Sequence, residues 1–261
     1  ATLTKGKVMS EHWYLQNGQP FYETTDAKGN RCAVTLRHAR KILAVPSVTT
    51  VLGILSKPQL EVWKQKQVVL AALTLGRSPE ESDDDFLRRV REDAFKQVED
   101  AADEGTAIHD AMECHFKGQP YPERFTEHVR GALAEIAALF PGVTDWVAED
   151  YFCHPIGFGG KVDLHSPSTG IVIDYKGKDG DFSDKKKLAY DQHYQLGGYQ
   201  TGLLLPPAPG ANIFISRTHP GKVAGHLWTQ EQMAEGAAIF LSTLVTWKLL
   251  KKYDPATATA Q

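Results

Sequence analysis

The sequence predicts an α/β layered domain, and three observations predict it. The front half carries long stretches of helical periodicity, the middle switches to short β-prone runs separated by turn residues, and further helical stretches follow those runs. The first elements are β-rich: His12 to Leu15, Phe21 to Thr25 and Cys32 to Leu36 are separated by Asn17-Gly18 and Gly29-Asn30, which reads as a small meander or hairpin. A short helix is expected over Leu36 to Leu43, with Pro46 as its breaker. Ser47 then suits an N-cap for Val48 to Leu55, and Pro58 suits the first position of a helix over Gln59 to Leu75, with Leu60, Trp63, Val68 and Ala71 on its buried side.

The polar stretch Arg77 to Asp85 reads as a solvated loop and helix start. A long helix follows from about Asp84 to Phe116, with a break expected at Gly105 and a stop at Gly118 and Pro120. Thr126 to Phe140 is one more helix. Thr144 to Phe152, Lys161 to His165 and Gly170 to Lys176 are the β-prone runs, joined by turn chemistry at Pro155 to Gly160 and Ser166 to Gly170. A helix over Lys187 to Leu204, a strand over Ala211 to Arg217, a terminal helix over Gln230 to Lys252 and a frayed tail complete the expectation. The organisation is thus a β-rich lead-in (1–45), a main domain (46–254) with a helical front half (46–140) and a sheet with its helices (141–254), and a tail (255–261).

The net charge of -3 over 261 residues gives no global basic field, so any nucleic-acid contact has to come from local patches. The three cysteines, Cys32, Cys114 and Cys153, are widely spaced and lack a C-x-x-C pair. They form neither a disulfide framework nor an iron–sulfur site, and this favours a reducing compartment. The segment Ala1 to Ser10 has no apolar core and no run approaches the length of a membrane span, so a cytoplasmic protein without a membrane partner is expected.

The chemistry concentrates in Gly159-Gly160-Lys161-Val162-Asp163-Leu164 and Ile171-Val172-Ile173-Asp174-Tyr175-Lys176. Strand alternation puts Asp174 and Lys176 on one face. If the two runs pair antiparallel through Ser166 to Gly170, Asp163 lies beside Asp174 at the sheet's end, and Asp174 and Lys176 are expected to project into a wet cleft there. Two adjacent carboxylates repel, and a hard cation such as Mg²⁺ resolves that through oxygen ligands. Lys176 beside them can orient a water or meet charge developing on a phosphate. A D-x-K tripeptide alone is common on solvated strand ends; the combined spacing is more specific.

Further pieces stand in a fixed order around this pair: Gly105 to His109, Glu149, Gly160 to Asp163, Ile173 to Lys176 and Gln195 to Tyr199. This order, G-x-x-x-H, an acid, G-x-x-D, apolar-D-x-K, Q-x-x-x-Y, resembles the RecB-like branch of the PD-(D/E)XK nucleases, which includes phage lambda-type and mitochondrial genome-maintenance exonucleases. Pro46-Ser47-Val48-Thr49 adds to the resemblance, which spans roughly Pro46 to Arg217. It implies a restriction-endonuclease-like mixed central sheet flanked by helices, and a deoxyribonuclease dependent on Mg²⁺ or Mn²⁺. By that resemblance His109, Asp163, Asp174 and the Tyr175 carbonyl hold the metal, Lys176 serves the attacking water, and Glu149 contacts the metal or its water. Gln195 and Tyr199 hold Lys176 and the scissile phosphate. It further implies an exonuclease of phage or bacterial recombination and repair, with DNA as substrate and a single-strand annealing protein as candidate partner. The family commonly has Thr after the lysine, whereas this chain has Gly177 and then Lys178, on the same strand face as Lys176. Without four cysteines, no iron–sulfur cluster is expected.

Candidate DNA contacts are Lys178, Lys64, Lys66, Lys185, Lys186 and Lys187, with Ser47 and Thr49 at a helix N-terminus. Three alternatives stand beside this reading: an endonuclease or flap nuclease of the same fold, an inactive DNA-binding module, and a carboxylate-pair glycosidase. The last leaves Lys176 without a role, and the five tryptophans are dispersed rather than gathered along a sugar cleft.

Overall fold

Aromatic residues at the two ends of the chain pack together in the computed structural model, which describes residues 11–183 and 188–256. Trp13 is fully buried and meets the Trp247 ring edge-on at 6.0 Å, and the Tyr253 hydroxyl donates to the Ala44 carbonyl at 2.9 Å. Trp13–Tyr14 (β1) pairs antiparallel with Val45–Pro46 (β4), so Pro46 closes a strand bridge as well as ending a helix. Between them, Glu23–Thr25 (β2) and Arg31–Ala33 (β3) form the expected hairpin. Its turn is fixed by Asp26, whose carboxylate accepts from the Lys28 and Asn30 amides at 2.8 and 2.9 Å.

Leu36–Ile42 (α1) and Val48–Leu52 (α2) follow; Ser47 caps α2 by accepting from the Thr50 amide. Pro58–Thr74 (α3) begins at its proline, as expected, and pairs with Asp83–Phe116 (α4) as a helical hairpin with a small core of its own, Ala71, Val90 and Ala94. Ser82 caps α4, and three aspartates in its first turn complement the helix dipole. The expected break at Gly105 does not occur; α4 runs unbroken for 34 residues. A glycine inside a helix costs about 1 kcal/mol relative to alanine, which tertiary packing readily overrides. Here Gly105 lies against Gly177: a Cβ placed on Gly177 would come within 3.3 Å of the Gly105 Cα. The crossing of helix over strand explains why this chain has glycine directly after Lys176.

Thr126–Leu139 (α5) precedes the main sheet of Val147–His154 (β5), Phe158–His165 (β6), Val172–Lys178 (β7), Gly210–Ser216 (β8) and Val223–Trp228 (β9), with His193–Gly202 (α6) crossing from β7 to β8 and Gln230–Lys251 (α7) closing the chain. The strands stand in sequence order; β7 and β8 are parallel and every other neighbouring pair is antiparallel. The architecture is an α/β mixed sheet flanked by helices. One core, with Val162, Leu196, Tyr199, Phe240 and Trp247, lies on the α6–α7 side; a second, with Ile108, Met112, Leu164, Ile173 and Ile213, lies on the α4–α5 side.

Four local expectations are corrected. Gly159 and Gly160 lie inside β6, not in a turn, because they pair with Cys153 and Phe152 of β5; a Cβ on Gly160 would press into the Phe152 ring at 2.7 Å. The helix α6 is shorter than expected, starting at His193. The strand β9 was not anticipated, since Gly225 and His226 interrupt its apolar alternation. Among the described residues α7 is the one helix long and apolar enough to cross a membrane, 22 residues containing an 18-residue stretch of mean hydropathy 1.3, although no such run was expected. In this fold its Met233, Phe240, Leu244 and Trp247 are buried in the core.

The helices α6 and α7 touch backbone to backbone. A Cβ on Gly197 would lie 2.3 Å from the Ala237 nitrogen, and one on Gly236 would lie 2.2 Å from the His193 carbonyl oxygen. Gly197→Val is therefore expected to destabilise the protein by about 3 kcal/mol, since an overpacked backbone contact cannot relax by rotamer change. A urea midpoint within experimental error of the parent's at unchanged slope would contradict this packing.

Candidate active site

Asp163 and Asp174 meet because of strand register. β6 and β7 pair at Leu164 with Ile173 and at His165 with Val172; one residue further in the same register stand Asp163 and Asp174. There the ladder opens, and the Tyr175 amide donates to Asp163 Oδ2 at 2.8 Å instead of to a strand carbonyl. The alternation of faces is also interrupted: Val162 packs in the α6–α7 core but Leu164 in the α4–α5 core. On β5, Glu149 lies opposite Asp163 with a left-handed φ of +58° and drops out of a ladder that resumes at Asp150. A non-glycine residue held there stores about 1–3 kcal/mol, a strain that clusters at functional sites.

The helices bring the other groups. His109, on α4, places Nδ1 3.3 Å from Asp163 Oδ2, and its ring stands edge-on to Tyr175 at 5.7 Å. From β7 itself, Lys176 Nζ lies 2.8 Å from Asp174 Oδ1 and 2.6 Å from Oδ2. Gln195, on α6, accepts from Lys176 Nζ at 3.3 Å and donates to Asp174 Oδ1 and to the Tyr199 hydroxyl, each at 2.8 Å. His109, Lys176 and Gln195 thus surround the Asp163–Asp174 carboxylate pair, with Tyr199 behind Gln195. Glu149 stands beside them in an ion pair with Lys161.

Asp174 is buried, contrary to the expectation that it projects into a wet cleft: it is only 2% exposed, and Asp163 beside it 8%. Lys176 and Gln195, not the acids, line the open cleft under α3 and α4. The reason is that the opening of the β6–β7 ladder turns Asp163 toward the Tyr175 amide, while α6 covers Asp174. Burial acts against ionisation of Asp163, but His109, Lys176 and the Tyr175 amide outweigh it and hold that carboxyl below its ordinary range. At Asp174 burial wins over the attraction of Lys176, and its pKa is raised. Burial opposes protonation of His109, yet the Asp163 charge and hydrogen bond raise the imidazole. Burial pushes Glu149 up to about 7 despite Lys161.

Among the described residues no three His, Cys, Asp or Glu side chains stand together as a ready metal cluster. The donor set is nonetheless chemically suited to a hard divalent cation. The 3.3 Å between the His109 nitrogen and the Asp163 oxygen is close to the spacing of about 3 Å between neighbouring ligands of a six-coordinate ion bound at about 2.1 Å. The raised Asp174 indicates that Lys176 alone does not offset the burial of this charge.

The anticipated DNA contacts divide. Thr49 is exposed at the cleft rim, whereas Ser47 is 4% exposed and its hydroxyl is engaged by Thr49, Thr50 and the Thr50 amide. Lys64 and Lys66 line the cleft from α3. Lys178 turns away from Lys176 to donate to the Leu188 carbonyl at 2.8 Å, and burial lowers its pKa. Lys185, Lys186 and Lys187 lie outside the described residues. Sequence reasoning missed Lys161, the partner of Glu149, and Asn212, which donates to Asp174 Oδ2 at 2.8 Å. A polar residue inside the apolar run Ala211 to Ile215 was the available signal.

No protein-family model matches the chain, and no curated protein matches it. Several solved structures align with it, two of them as follows. One, named SSO0001, is 15% identical, with 70% of this chain and 86% of the other covered and a TM-score of 0.31. The other, a phage related exonuclease from Haemophilus somnus 129PT, is 12% identical over 72% of this chain and 93% of its own, also with a TM-score of 0.31. At that similarity neither carries an argument about this chain.

Proposed function

We propose that the chain is a divalent-metal-dependent deoxyribonuclease of the PD-(D/E)XK type that works from DNA ends. The observation that carries the reading is the convergence of His109 from α4, Asp163 from β6, Asp174 and Lys176 from β7 and Gln195 from α6 on one cluster behind the cleft that Lys176 and Gln195 line. Asp163, Asp174, His109 and the Tyr175 carbonyl are the residues to hold Mg²⁺ or Mn²⁺. When bound, such an ion supplies polarisation of a phosphoryl oxygen and a water of lowered pKa. Lys176, held between Asp174 and Gln195, reaches the cleft and is placed to orient the attacking water and to meet negative charge on the phosphate. Glu149, raised toward neutrality beside Asp163, is placed as a proton-bearing neighbour of the reacting groups. Tyr199 fixes Gln195 through its hydroxyl.

DNA is the substrate in this reading, with Thr49, Lys64 and Lys66 as cleft-side contacts and Lys178 and Lys185 as further candidates. Phage or bacterial recombination and repair in the cytoplasm is the setting that the sequence resemblance suggests, with a single-strand annealing protein as partner.

Incubation with linear duplex, flap and single-stranded DNA tests the reading. Cleavage is expected with Mg²⁺ or Mn²⁺ and none in EDTA. No cleavage of any of the three substrates in either metal would overturn it.

A further inference from the structure

We propose that Asn212 is a positioning residue that fixes the rotation of the Asp174 carboxylate, and that Trp228 in turn fixes Asn212. The proposal rests on the nuclease reading and adds residues that the motif order does not contain. Parallel pairing of β7 with β8 sets Asn212 directly beside Asp174, within the otherwise apolar run of an inner strand, where it is fully buried. Both ends of its amide are used. Nδ2 donates to Asp174 Oδ2 at 2.8 Å, and Oδ1 accepts from Trp228 Nε1 at 2.8 Å.

The direction of this chain follows from chemistry. An indole N–H only donates, so it demands the amide oxygen and leaves the NH₂ group facing the carboxylate. Trp228 is 4% exposed and its ring is flanked by those of His193 at 4.5 Å and His226 at 4.3 Å, so it has little freedom to release the amide. Asp174 Oδ2 therefore always meets a neutral donor from one side. Lys176 meets the same oxygen at 2.6 Å and Oδ1 at 2.8 Å, and Gln195 donates to Oδ1. A neutral donor suits this position: it holds the acid without neutralising it, and it leaves the charge of Asp174 available to a cation.

The test measures Mn²⁺ binding to the protein alone, by the loss of the free-ion electron paramagnetic resonance signal, together with cleavage and thermal unfolding. Asn212→Leu keeps the volume and removes the donor; Trp228→Phe keeps the donor and frees the amide to flip. Loss of such a supporting hydrogen bond is expected to weaken metal affinity about 10–100-fold for Asn212→Leu, with a smaller loss for Trp228→Phe. A merely structural role would lower the unfolding temperature and leave Mn²⁺ affinity of the folded protein unchanged. If Asn212→Leu fails to fold, Trp228→Phe decides. Mn²⁺ affinity within about threefold of the parent in the folded variants overturns the assignment of Asn212 while leaving the nuclease reading intact. A parent that neither binds Mn²⁺ nor cuts DNA removes both.

Discussion

Asp174→Ala and Lys176→Ala are each expected to reduce DNA cleavage by about 10³-fold or more, because each removes a charge poised at the reacting phosphate in a site shielded from water. The two should differ in stability. Lys176 reaches the cleft with its side chain 31% exposed, so truncating it opens no cavity, although it leaves Asp174 without its ion-pair partner. Asp174 is 2% exposed, and removing it leaves the Asn212 amide without an acceptor, a cost of about 1–3 kcal/mol. Asp174→Asn keeps the shape and is the cleaner variant: its unfolding temperature should stay near the parent's while turnover is lost. Steady-state cleavage rates alongside thermal melts check both statements. A variant that still cuts within a few-fold of the parent removes its residue from the mechanism, and a surviving Lys176→Ala would turn attention to Lys178. The structure makes that substitution demanding, since Lys178 is held by the Leu188 carbonyl and packs near the Phe214 ring at 5.0 Å.

Linear DNA should be consumed while the same sequence as a covalently closed circle, single- or double-stranded, resists. The difference is expected to be all-or-none over the time in which the linear form disappears. The resemblance to end-processing enzymes motivates the prediction, and the shape of the cleft is compatible with it. Lys176 and Gln195 lie at its floor, α3 and α4 wall it, and Glu11, His12, Thr49 and Thr50 lie along it as well. Gel analysis of matched linear and closed substrates measures this. Comparable rates on both forms would assign endonucleolytic entry and leave the metal chemistry untouched.

The sequence by itself determined the chemistry-bearing strand and much of the frame around it. Alternation alone places Asp174 and Lys176 on one face of β7, and helical spacing places Gln195 and Tyr199 on one face of α6; both are local geometry, fixed by 2.0- and 3.6-residue periods. The N-cap Ser47, the proline start of α3 and the turn at Gly29-Asn30 are legible for the same reason, since each is local in the chain. Tertiary structure decided what depends on residues distant in the chain. That Asn212 meets Asp174 follows from parallel pairing across 38 residues, and no local pattern specifies that register. That α4 runs unbroken through Gly105 is a feature of the whole helix packed on β7, and that Gly159 and Gly160 sit in a strand follows from their pairing with Cys153 and Phe152 of β5. The burial of Asp163 and Asp174 was likewise invisible, because exposure is a property of what α6 and the open β6–β7 ladder place around a carboxylate, not of the carboxylate's own neighbours in sequence.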